Sequence, residues 1–232
     1  MKPIQKRILI TGGAGFIGSH LVKRLLKNKQ QILVIDDLST GKTELLPLDN
    51  KNLKFIKCDL TNYTNLKNNF EQFNPNIVIH LAALHYIPYC NQYPQKVFKV
   101  NIAGTRNLLE CCYKNKPDVF FLASSAAVYP IRDDANKEDY PCNSTDVYGF
   151  TKIICEDLTK LFYLQTGIKT VIGRLFNVYG PNDLTPHLIP EIFRQLKFGK
   201  YTLRLGNLQT KRDFIHVYDV VDAIIALINS DI

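Results

Sequence analysis

An α/β fold built on a doubly wound parallel sheet is what the sequence predicts, and three observations carry the prediction. Short apolar runs alternate along the chain with longer stretches of helical periodicity. The short runs are continuous in Ile, Leu, Val and Phe, as in strands covered on both faces, and do not alternate apolar with polar. The first of them breaks into glycines three residues apart, Gly12, Gly15 and Gly18, ahead of an amphipathic stretch. Strands and helices in such succession imply right-handed crossovers, with helices on both sides of the sheet.

The first strand covers residues 8–10, and its glycine turn leads into a helix on which Phe16, Ile17, Leu21, Val22, Leu25 and Leu26 recur at helical spacing. Residues 31–35 make a second strand that ends at Asp36 and completes a βαβ unit. A third strand spans 53–57 and runs out at Cys58, Asp59 and Leu60; helical signals continue to Phe73, and a fourth strand spans 76–80. Residues 97–113 read as a helix, 119–123 as the fifth strand, 147–165 as a long helix and 169–174 as the sixth strand. From about Phe176, proline, glycine and asparagine interrupt the alternation. Beyond that point a helix is expected over 189–198, a short strand over 201–205 and a last helix over 219–228.

At 232 residues and 46% hydrophobic content the chain can bury a substantial core. No apolar run reaches the ~20 residues of a membrane span, and the N-terminus leads straight into a strand, so a cytoplasmic location away from membranes is expected. Six cysteines, Cys58, Cys90, Cys111, Cys112, Cys142 and Cys155, show no C-x-x-C spacing. Buried thiols are expected, with neither a metal site nor a disulfide framework. The formal charge is +8, but the lysines are scattered without a block of like charges, the pattern of a solvated surface and not of a nucleic-acid partner.

The glycine turn has a chemical reading. Gly12 lets the chain turn sharply, Gly15 lets backbone N–H groups approach a pyrophosphate, and Gly18 lets the helix sit close on the strand. Asp36 stands 18 residues beyond Gly18, at a strand end where a carboxylate accepts both hydroxyls of an adenosine ribose. With Asp37 next to it and no arginine nearby, a 2′-phosphate would be repelled, so NAD is expected in preference to NADP. Residues 1–175 therefore read as a Rossmann-type sheet that binds NAD and residues 176–232 as a small C-terminal lobe interleaved with it, which a family resemblance carried by the motifs of both parts implies to be an incomplete substrate lobe.

Tyr148 and Lys152 are four apart and share a helix face. Tyr63 and Lys67 repeat the spacing, so context must choose between the pairs. Tyr148 opens the helix after the fifth strand, whose end reads Leu122-Ala123-Ser124-Ser125, and ligands of doubly wound sheets bind beyond strand carboxyl ends. A phenol with a pKa near ~10 is a poor base at neutral pH, but an ammonium and an oxidised nicotinamide would favour its phenolate. Tyr148 could then take a proton from a substrate hydroxyl, with Ser125 bonded to the same oxygen and the hydride passing to the cofactor.

With these residues in hand, the sequence resembles the extended short-chain dehydrogenases/reductases, specifically the NAD-dependent nucleotide-sugar epimerase/dehydratase family, from Ile8 to about Ile228. The stretch TGGAGFIGSHL is similar to the family's cofactor loop, with Gly12, Gly15, Phe16, Ile17 and Gly18, and DDLSTG, with Asp36 and Asp37, to its ribose segment. CDL, with Asp59 and Leu60, matches an adenine contact; HLAA, with Leu81, Ala82 and Ala83, the strand beneath the cofactor; and VNIAGTRNLLE brings Asn101 to a cofactor position. SSAAVY and YGFTK carry Ser125, Tyr148 and Lys152 as the implied catalytic set, the last two also touching cofactor. On the substrate side the resemblance implies roles for Ser125, for Asn177 in RLFNVYGP, for His187 and Leu188 in PHLIP, and for Arg212 in KRDFIHVYD as a grip on diphosphate.

The resemblance implies an epimerase acting on a nucleotide-diphosphate sugar, through transient oxidation of a sugar hydroxyl to a ketone and return of the hydride. Family 4,6-dehydratases carry an acid pair where this chain has Ala126 and Ala127, which cannot transfer protons. A dehydratase or reductase on the same substrates stays open, since RLGNLQTKRDF is similar to some dehydratase-like members. So does a truncated, non-catalytic NAD-binding module. The resemblance also implies a homodimer through the helices at 97–113 and 147–165.

Overall fold

The computed structural model describes residues 5–199 and 202–231. Six strands form one parallel sheet: β1 (Arg7–Thr11), β2 (Gln31–Asp36), β3 (Leu53–Lys57), β4 (Ile77–His80), β5 (Val119–Ser125) and β6 (Lys169–Leu175). Their order is β3-β2-β1-β4-β5-β6, so the winding reverses between β1 and β4. Doubly wound sheets open a crevice at such a reversal, beyond the strand carboxyl ends.

The unbroken apolar runs have the cause the sequence suggests. Successive side chains of a strand point to opposite faces, and here both faces are buried. Ile8, Ile10, Ile32, Val34, Ile77, Ile79 and Phe121 pack against Leu21, Val22 and Leu25 of α1 (Phe16–Lys27). Leu9, Leu33, Ile35, Val78, Phe120 and Leu122 face the other way, onto Leu66 and Phe70 of α2 (Tyr63–Phe73) and onto helices that follow β4 and β5.

After β4 the chain forms two short helices, α3 (Ile87–Gln92) and α4 (Pro94–Val97), then one π-helical stretch, Phe98–Ala103, which continues into α5 (Gly104–Asn115). The single helix expected over 97–113 is thus divided. Its buried face runs on through the wider turn by way of Asn101, between Val97 and Gly104, and periodicity does not register the change.

The helix α6 (Val147–Thr166) has a defined start and stop: the Asp146 carboxylate accepts from Gly149 N at 2.8 Å, and Gly167 closes it in the left-handed conformation. Beyond β6, β7 (Asn177–Tyr179) pairs in parallel with β8 (Phe214–His216) as a separate two-stranded sheet. α7 (Leu188–Lys197) lies between them in sequence, and α8 (Val217–Asn229) returns to the β1 face through Val217, Val220, Val221, Ile224 and Ile228.

The strand expected over 201–205 does not form at 202–205, which are irregular; Tyr201 lies outside the described residues. Gln195 of α7 accepts from Arg204 N and donates to Arg204 O, both at 2.8 Å, and so takes the backbone groups a strand partner would need. All six cysteines are free, and all but the partly exposed Cys142 are buried.

Candidate active site

The crevice is floored by the turn between β1 and α1. Gly12 holds φ +73°, and a Cβ there would lie 2.6 Å from Ala82 N, so neither its backbone nor its space admits a side chain. Gly15 is the N-cap of α1 without a side-chain cap, and no acid stands in the first turn. The first amides of a helix have no partners within it, so those of Phe16, Ile17 and Gly18 suit an anionic pyrophosphate.

Asp36, 8% exposed, closes one end of this cradle. One carboxylate oxygen accepts from Ala14 N at 3.0 Å and the other from Leu38 N at 2.9 Å. Burial raises its pKa, against the pull of those two hydrogen bonds. Each oxygen retains a lone pair for a ribose hydroxyl. Asp37 instead accepts from Ser39 N and Oγ in its own turn, and exposed Asp59 caps Thr61 N at 2.8 Å. Leu60 is buried, its carbonyl held by Asn107.

A buried polar chain that sequence reasoning did not anticipate lies beneath Leu81, Ala82 and Ala83. Thr11 Oγ1 is 2.7 Å from His80 Nδ1, His80 Nε2 is 2.8 Å from Thr105 Oγ1, and Thr105 donates to Asn101 O at 2.5 Å. Since the Thr105 proton is committed, its oxygen accepts from His80, which fixes the proton of the neutral imidazole on Nε2 and leaves Nδ1 to accept from Thr11. Burial, reinforced by Lys152, pushes the His80 pKa down to about 3.

Asn101 itself is a strut. Its Oδ1 accepts from Leu84 N at 2.8 Å, and its Nδ2 donates to Leu84 O and to Thr151 Oγ1, both at 3.0 Å. The loop after β4 and helix α6 are thereby tied together.

Ser125, Tyr148 and Lys152 converge at the end of β5. Gly149 lies against the Ala127 carbonyl and the Ser144 hydroxyl with no room for a Cβ, so α6 begins directly on the turn that follows β5. Tyr148 faces Ser125 closely enough for the serine to act on its ionisation, and Ser125 Oγ accepts from Ala127 N at 3.1 Å. Lys152 is 3% exposed and donates to Ala123 O at 2.7 Å, with Nζ 5.8 Å from the Tyr148 ring centroid. In the chain by itself burial raises the Tyr148 pKa above that of an ordinary phenol, Ser125 opposing, and burial lowers that of Lys152. The ammonium alone therefore does not produce a phenolate.

The substrate-side residues fall on the second sheet and its neighbours. Asn177 donates to Asp213 O from both N (3.2 Å) and Nδ2 (2.9 Å), stitching β7 to the residue before β8. Arg212 is exposed, and its one described hydrogen bond is to Lys211 O at 3.0 Å. His187 caps α7 with its ring 6.0 Å from that of His85, which follows the β4 loop, while Leu188 is 45% exposed.

The profile of the NAD dependent epimerase/dehydratase family matches residues 8–231. The chain belongs to this family. NAD is the cofactor of this family, and the geometry around Gly12 and α1 fits it. A UDP-glucose 4-epimerase of Dictyostelium discoideum is 32% identical, covering 99% of this chain and 74% of its own length. A dTDP-D-glucose 4,6-dehydratase of the same organism is 33% identical over 94% of this chain and 54% of its own length. The crystal structure of a Thermus thermophilus UDP-glucose 4-epimerase in complex with NAD superposes with a TM-score of 0.88 at 33% identity, covering 97% of this chain and 75% of that one. The relatives are enzymes that catalyse more than one reaction, so family membership establishes NAD-dependent chemistry and leaves the reaction itself to the site.

Proposed function

We propose that the chain is an NAD-dependent epimerase of a nucleotide-diphosphate sugar. The observation that carries the reading is the convergence of Ser125, Tyr148 and Lys152 at the carboxyl end of β5, beside a turn that holds Ala126 and Ala127 where an acid pair would serve dehydration. NAD, when bound, supplies the acceptor and donor of hydride and a positive charge that favours the phenolate. Tyr148 takes the proton of the sugar hydroxyl, Ser125 steadies the same oxygen, and Lys152 adds positive charge from beneath. The keto-sugar turns over in the site, Tyr148 returns the proton, and the configuration at that carbon is inverted without net redox change.

Gly12, Gly15, Phe16, Ile17 and Gly18 hold the pyrophosphate in this reading, and Asp36 the adenosine ribose. Asp37, Asp59 and Leu60 border the adenine side, while Leu81, Ala82, Ala83 and Asn101 form the floor under the nicotinamide. Arg212, an exposed guanidinium without a described acidic partner, meets the substrate's phosphates, and Asn177, His187 and Leu188 line the sugar side from the 176–232 lobe. Exposed Tyr113, Phe150, Leu161 and Leu164 on α5 and α6 support a homodimer through these helices, which a sedimentation measurement checks.

Incubation with UDP-glucose or a related UDP-sugar and NAD, followed by chromatographic separation of epimers, tests the function. Interconversion without accumulated NADH is expected. A deoxy keto-sugar product would select dehydration instead, and NAD binding with no turnover of any nucleotide sugar would overturn the enzymatic reading.

A further inference from the structure

Three consecutive residues of β5 each meet a residue of α6, and the α6 residues are spaced by four. Ala123 O accepts from Lys152, Ser124 Oγ donates to Glu156 Oε1 at 2.6 Å, and Ser125 faces Tyr148. Tyr148 and Lys152 belong to the proposed chemistry. Glu156 does not, yet it is a carboxylate at 1% exposure.

Such a charge is retained only with good partners. Arg174 supplies them, donating from Nε to Oε1 at 2.9 Å and from a terminal nitrogen to Oε2 at 2.8 Å. Arg174 and Ser124 are register partners across β5 and β6, so one carboxylate grips two neighbouring strands at their carboxyl ends. Arg174 also donates to the Tyr129 hydroxyl at 2.7 Å and to Glu138 O at 2.9 Å, which ties in the turn whose Ala127 N meets Ser125 Oγ. Lys160, one turn further on α6, approaches Oε2 at 3.9 Å. An apolar residue could hold α6 to the sheet equally well, but it could not set direction. A carboxylate receiving three fixed donors locks the rotation of α6 about its axis and its height along β5.

We propose that Glu156 is a positioning residue for the active site: by gripping Ser124 and Arg174 it sets the register of α6 on β5 that places the Tyr148 hydroxyl beside Ser125. The inference rests on the reading of Tyr148 as the proton-transfer group. A misplacement of about 1 Å at a reacting centre can cost about 100-fold in rate.

The test uses the whole chain loaded with NAD and carrying tyrosine labelled with carbon-13 at the ζ position, the Tyr148 signal being assigned by its loss in Tyr148→Phe. The Ser125→Ala spectrum defines how that signal moves when the serine hydroxyl beside it is lost. Glu156→Gln is expected to move it in the same direction and to lower kcat by up to about 100-fold, with KM far less affected. A Tyr148 signal that stays in place while thermal stability falls would assign Glu156 a merely structural role and overturn the proposal. Should Glu156→Gln fail to fold, Ser124→Ala keeps the ion pair and carries the same test: a smaller displacement in the same direction supports the proposal, and none overturns it. Because the signal is read without turnover, failure of the epimerase reading would show separately, as a correctly positioned tyrosine in a chain that converts no sugar.

Discussion

Acid should weaken this protein through His80 before most of its carboxylates titrate. The unfolded imidazole takes up a proton below its ordinary value of about 6.5, whereas the folded one, enclosed by Thr11, Thr105 and Phe120, holds out to about 3. Between those values the unfolded state binds the extra proton, so the contribution of neutral His80 is complete above pH 6.5 and is lost as pH falls towards 3. The slope for one such group is a little over 1 kcal/mol per pH unit, or about 2–3 kcal/mol between pH 6.5 and 4.5. His80→Gln keeps a donor for Thr105 but gives up one of the two buried bonds, and should cost about 1–3 kcal/mol at pH 7. Urea unfolding of both proteins across this range measures the difference: the advantage of the native chain should shrink by about 2–3 kcal/mol on going to pH 4.5. Parallel pH profiles for the two proteins would refute the reasoning. So would a nitrogen-15 spectrum showing His80 protonated near pH 6, or its neutral proton on Nδ1.

Tyr148→Phe should leave NAD affinity nearly unchanged while lowering turnover by about 100-fold to 10,000-fold, read by epimer separation; retained activity would remove Tyr148 from the chemistry. Asp36→Ala removes a charged acceptor for the ribose and also releases Ala14 N and Leu38 N, so calorimetry should show NAD binding weakened by about 1.5–3 kcal/mol. Gly149→Val meets the Ala127 carbonyl and the Ser144 hydroxyl, and should lower the midpoint of thermal unfolding while moving the Tyr148 signal away from its native position. At low pH the Glu156–Arg174 pair adds its own loss: the folded pKa of Glu156 lies below the ordinary value, so its contribution is full above about 4.5 and fades as pH falls through the folded value.

Much of this molecule is local information. The runs around Ile8, Ile32, Ile77 and Phe120 announce strands buried on both faces, because each is short, rich in β-branched and aromatic residues, and unbroken where a strand with one wet face would alternate. Gly12 and Asp36 are legible for a similar reason, since a left-handed turn and a strand-end carboxylate each need one residue type at one place. The preference for Tyr148 and Lys152 over Tyr63 and Lys67 rests on element order together with the hydroxyl-rich end of the fifth strand.

Side-chain bonds between distant segments leave no such trace. Gln195 looks like one polar residue in a helix until it is seen holding Arg204, and Asn177 like a turn residue until both its nitrogens are found on Asp213. The partners of His80, Asn101 and Glu156 lie across the fold, and no spacing along the chain encodes who meets whom. The sequence by itself determined the sheet, the glycine turn after its first strand and the strand end at which Ser125 lies, because backbone geometry and burial act over neighbouring residues. Only the tertiary structure decided which buried polar groups satisfy one another. On the proposal that Glu156 positions α6, that choice also sets where the Tyr148 hydroxyl stands, since an unpaired donor or acceptor in a dry interior costs more than any local preference can offset.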